Sequence, residues 1–204
     1  SVALDGDLVF FSPNAQFLLK GDKPVTKETA TLRHTNSFSI QTAVAPVPTG
    51  ESIYFAFDSG LYTGIRELFT DNIVDTKRAR PVTEHVDRFI AGQIRSMTSS
   101  TNQNWMMILA DAPNIVYVYN WLWVGQNKAQ SAWHRWIWPT DERVEDVILS
   151  QDKMYFFISR AEGVFLEVIN MGDANSNGIS YPARLDRQHT VTATKSGSRY
   201  TFPD

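Results

Sequence analysis

The chain contains no cysteine. Disulfide staples, thiolate nucleophiles and cysteine-based zinc sites are therefore excluded, and compartment stays open. No apolar run reaches the roughly 18 residues that a membrane-spanning helix needs. Residues 1–6 lack the basic segment and apolar core of a secretory signal. Charge of either sign is modest: 19 Lys and Arg stand against 22 Asp and Glu, for a formal net charge of −3. A sequence-independent grip on nucleic acid needs clustered basic residues, and this balance gives no reason to expect one. Also missing are a Gly-x-Ser-x-Gly elbow, a phosphate-cradling glycine loop and a His-Glu-x-x-His run. The reading that follows has no catalytic residue, cofactor or metal.

What is present points to sheet. Aromatics make up 12% of the 204 residues, with six Trp and twelve Phe, and such side chains suit pleated, packed surfaces. Short apolar runs recur between turn residues: 8–11, 16–19, 31–35, 40–45, 52–57 and 62–69, then 94–98, 105–109, 115–124, 133–138, 144–149, 154–158 and 164–169. Residues 46–50 read as a turn or crossover. Residues 71–93 read as a long polar connection, with a short helix at 83–90 capped by Thr83 and carrying Val86, Phe89 and Ile90 at helical spacing. The predicted fold is all-β and antiparallel, with β-propeller-like blades (a partial propeller) and at most one or two short helices. In the more regular second half the groups are about 45–50 residues long, the size of one four-stranded blade. They fall at about 7–70, 94–138 and 144–187 within a domain over 1–187, and 188–204 reads as the start of a further β domain. The strand-like runs almost at either terminus read as cuts within a longer polypeptide.

Residues 115–124 place Tyr117, Tyr119, Trp121 and Trp123 on one face, and Val116, Val118, Leu122 and Val124 on the other. Runs apolar on both faces need cover on both sides, which stacked blades or a sandwich interior supply. Trp105, Trp121, Trp123, Trp133, Trp136, Trp138 and Phe156 are accordingly the expected structural core. The rival reading of the tryptophans is a platform for sugar rings. It requires two or more of them exposed around a groove with carboxylates, whereas core packing buries them.

Other candidates have bland readings. Residues 173–178 resemble the start of a calcium loop, but position 12 is Arg184 where a bidentate carboxylate is needed, so a metal-free polar turn is expected. His34, His85, His134 and His189 lack helical zinc spacing, and His134 reads as a packed ring. Lys77-Arg78-Ala79-Arg80 reads as a solvated connection or subunit-contact loop. Asp141-Glu142 and Glu145-Asp146 would matter for glycoside hydrolysis only at the right separation.

Several of these stretches, in order, resemble the tail tubular protein B (nozzle) family of short-tailed bacteriophages. They are residues 6–12 with 14–19, residues 52–56, Glu84-His85-Val86 with Phe89-Ile90, residues 131–136 followed by 154–157, and residues 183–187. The resemblance runs from about Asp7 to Arg187 and covers only a propeller-like middle of a longer protein. It implies a virion component of the phage tail, forming a homo-oligomeric six-fold ring beside adaptor and fibre proteins. DNA would pass through the ring without specific binding. The alternative class is a propeller that binds or cleaves host surface polysaccharide.

Overall fold

The computed structural model describes residues 1–22, 24–71, 76–124, 127–150 and 153–170, together with the strand segments 175–176, 179–180, 194–196 and 199–201. The chain divides into two units, Ser1–Met171 and Gly172–Asp204. In the second, β17 (Asn175–Ser176) pairs with β18 (Ile179–Ser180), and β19 (Thr194–Ser196) with β20 (Arg199–Thr201), both antiparallel. The calcium-like turn (apart from the backbone of Asn175 and Ser176), residues 183–187, His189 and the expected boundary after 187 lie outside the described residues.

The first unit is built from four antiparallel sheets in chain order. The first holds β1 (Val2–Leu4), β2 (Asp7–Ser12), β3 (Ala15–Leu19) and β4 (Leu32–Asn36). Its β1–β2 connection is the two-residue loop Asp5-Gly6, with φ of 51° and 80°. Asp-Gly suits this loop because both positions need positive φ, which matches the twist of the strands it joins. The second sheet holds β5 (Val47–Thr49), β6 (Ser52–Ser59), β7 (Tyr62–Asp71) and β8 (Thr76–Pro81), with β9 (Ile90–Ala91) added to the free part of β7. The third holds β10 (Ile94–Ser100), β11 (Trp105–Ala110), β12 (Ile115–Val124) and β13 (Asn127–Ile137). The fourth has three strands: β14 (Arg143–Ser150), β15 (Lys153–Arg160) and β16 (Gly163–Asn170).

Consecutive sheets share cores. Leu4, Val9 and Leu18 of the first pack with Ile53, Phe55 and Leu68 of the second. The opposite face of the second supplies Tyr54, Ala56 and Ile65, which meet Met106, Ile108, Tyr117, Tyr119 and Trp121 of the third. The other face of the third, with Met107, Leu109, Val116 and Val118, meets Val144, Val147, Met154, Phe156 and Ile158. Alternation along β12 thus serves two interfaces at once, because successive side chains leave a strand on opposite faces. This is the blade-like stacking that doubly apolar strands require.

Five local expectations are corrected. Residues 7–70 serve two sheets, and the stretch 71–93 contributes β8 and β9 to the second. Residues 46–50 contain an edge strand, where Pro48 is tolerated because its nitrogen has no ladder bond to make. Residues 40–45 form no strand. Instead Gln41 is buried, donating from Nε2 to Asp58 and Thr63 and accepting the Ile94 amide. The helix at 83–90 is a single 3-10 turn, Glu84–Val86, without a side-chain cap. Thr83 Oγ1 accepts the Ile65 amide at 3.1 Å, and Ile90 is recruited into β9.

Candidate functional site

The predicted core residues divide by position. Trp121 and Phe156 are buried. Trp133 packs against the core between the second and third sheets, and its Nε1 donates to the Val82 carbonyl at 3.0 Å. Trp105, Trp136 and Trp138 are half-buried around the next core, with Trp138 5.1 Å from Phe156 between ring centroids. Trp123 departs from the expectation: 41% of it is exposed. β11 pairs with β12 only as far as Asn120, and the β12–β13 register shifts between Leu122 and Trp123. The last residues of β12 therefore project past β11, and Trp123, on the same face as Tyr119 and Trp121, is left partly open to solvent.

Trp123 stands at the mouth of a cleft of about 800 Å³, also lined by Asp5, Glu51, Arg80, Thr101 and Asn104. At its base is Glu67, whose side chain is 1% exposed. Glu67 lies on β7 two residues after buried Ile65, on the same face. Its carboxylate accepts hydrogen bonds from Ser52 Oγ at 3.1 Å, Tyr54 Oη at 2.8 Å and Arg80 Nε at 3.0 Å. Lys128 Nζ, from β13 of the neighbouring sheet, lies 2.8 Å from each carboxylate oxygen. Burial alone would raise the Glu67 carboxyl, but the Lys128 ammonium and the Arg80 guanidinium outweigh it and hold the group below the ordinary carboxylate range. Burial also pulls the Lys128 ammonium below the usual lysine value. It pushes the Tyr119 hydroxyl up to about 12.

Sequence reasoning missed this cluster. The available signal was a carboxylate two residues from an apolar strand position, on the core face. The basic run is corrected too: residues 77–80 lie in β8. Lys77 is buried, with Nζ 3.5 Å from Asp5 and from Asp7 of the first sheet. Arg78 pairs with Asp71, and Arg80 with Glu67.

The remaining candidates are scattered. Glu142 accepts from Arg160, Glu145 from Arg143 and Ser159, and Asp146 from Ser96, while Asp141 is exposed. His34 lies 3.0 Å from Ser37 Oγ, and His85 is exposed in the 3-10 turn. His134 packs edge-on to Trp105, and burial lowers its pKa. Among the described residues, no three metal-ligating side chains gather, and no helix is long and apolar enough to cross a membrane.

Stacked sheets joined by apolar cores, with polar groups engaged in cross-sheet ties, define a scaffold class. Residues 1–201 match the family of bacteriophage nozzle proteins, and the chain belongs to that family. It is also similar to the tail tubular protein gp12 of Escherichia phage T7, with 24% identity over 207 residues that take in all of this chain. The chain spans 25% of that relative's length.

Proposed function

We propose that this chain forms part of the wall of a phage tail nozzle, working by assembly rather than catalysis. The observation that carries the reading is the continuous stack, which is apolar at both ends. On the fourth sheet, Tyr155 and Phe157 face away from the core beside Ile148, Leu166 and Val168, and Leu166 is 56% exposed. On the first, Leu8, Phe10, Phe17 and Leu19 are half-buried beside exposed Leu32. Apolar faces of this kind mark surfaces that become covered. Blades from polypeptide outside this segment cover them, completing a propeller-like domain of a much longer protein. Six copies close a ring beside adaptor and fibre proteins. A conduit must release DNA, and the net charge of −3 is compatible with weak phosphate contact.

The test is Leu166→Asp with Val168→Asp in the phage. The fold of this chain should be kept and tails should fail to assemble. Normal tails carrying both changes would refute the reading.

A further inference from the structure

The base of the cleft has the composition of a receptor for an organic cation. Lys128 Nζ lies 5.7 Å from the ring centroids of Tyr54 and Tyr119, 6.0 Å from Trp121 and 5.2 Å from Trp123. Four aromatic rings around an ammonium, with a carboxylate at one side, is the chemistry that captures alkylammonium groups. Contacts that do not involve the lysine support the ring set. Tyr119 stacks on Trp121 at 5.2 Å and lies 4.7 Å from Trp133, and Tyr54 lies 5.5 Å from Trp121. Glu67 is likewise fixed by Ser52, Tyr54 and Arg80.

We propose that this is an alkylammonium-binding cage occupied in cis by Lys128, which latches strand β13 to the second sheet. The cage spans two sheets: Tyr54 and Glu67 come from the second, while Tyr119, Trp121 and Trp123 come from the third. The lysine side chain is only 10% exposed, as expected for a seated ligand rather than a solvated surface charge. Trp123, past the end of β11, is the outermost ring of the set. It closes the cage from outside, with one face toward the ammonium and the rest toward water. This inference stands apart from the tail-wall reading.

Chemical rescue tests it. In the intact chain, Lys128→Ala should empty the cage and lower the melting temperature by about 5–15 °C. Tetramethylammonium or n-butylammonium chloride at about 10–100 mM should restore at least half of that loss, and sodium chloride at the same ionic strength should not. Lys128→Met should melt low and resist rescue, because its own stem fills the space. The proposal is overturned if Lys128→Ala melts like the parent, or if sodium chloride matches the amines. Should Lys128→Ala not fold, Glu67→Gln is added to neutralise the stranded carboxylate, and tetramethylammonium is titrated against tryptophan fluorescence. Saturable quenching then supports the cage, and a linear response refutes it.

Discussion

The two interfaces of the third sheet solve the same problem differently. Toward the fourth sheet, Met107, Leu109, Val116 and Val118 meet Val147, Met154, Phe156 and Ile158 in an apolar core, with the hydrogen bonds of Ser96 to Asp146 and of Arg95 to the Val144 carbonyl beside it. Toward the second, aromatic packing surrounds a carboxylate and an ammonium. Apolar contact is non-directional and tolerates sliding, whereas a buried ion pair has one good geometry and penalises every other. The apolar interface supplies adhesion, and the polar one adds registration.

The widest contrast should come from Phe156→Ala. It removes a fully buried ring from the apolar side and should cost about 3–5 kcal/mol in urea unfolding. A cost below about 1 kcal/mol would mean that this interface collapses around the gap. Next comes Gly64→Val in the second sheet. A Cβ at Gly64 would lie 2.2 Å from the Phe57 ring, which itself stacks on the Arg66 guanidinium at 4.2 Å. Overpacking there should cost about 1–3 kcal/mol, visible as a lower denaturation midpoint.

Acid should bear on the interface that holds Glu67. The folded carboxyl of Glu67 titrates below its ordinary value of 4.5. Its contribution is therefore intact above that value and is lost as pH falls through the lower, folded value. Comparing Glu67→Gln with the parent between pH 7 and pH 3 should show the gap in stability narrowing with acid. A constant gap would mean that the charge of Glu67 is not what the fold uses. The smallest effect should be Glu142→Gln, which weakens a partly solvated pair with Arg160 and should leave the denaturation midpoint nearly unchanged. Larger damage would give that carboxylate a role beyond its ion pair.

These contrasts also mark what the sequence made legible. Strand β12 could be read because alternation survives without knowledge of partners: Tyr117, Tyr119 and Trp121 go one way, and Val116 and Val118 the other. The exposure of Trp123 could not, since where β11 stops covering β12 is a property of two strands. Strand β8 was hidden because Lys77 is neutralised by Asp5 and Asp7, some seventy positions away, so local composition resembles a solvated loop. The apparent helix at 83–90 failed because Ile90 is claimed by Thr63 across the sheet. Glu67 was visible as an acid on an apolar face, but nothing nearby in sequence announces Lys128.

That separation governs the order of events during synthesis. Each sheet is a meander of neighbouring strands, so it can pair as soon as its own stretch leaves the ribosome, at about 5–20 residues per second. Glu67 meets Arg80 within its own sheet, 13 positions on, whereas its ammonium partner lies 61 positions later. Lys128 reaches the carboxylate only once the third sheet has docked on the second in register. The Glu67–Lys128 pair is thus a mark of correct register between the two sheets, one that an apolar contact does not leave.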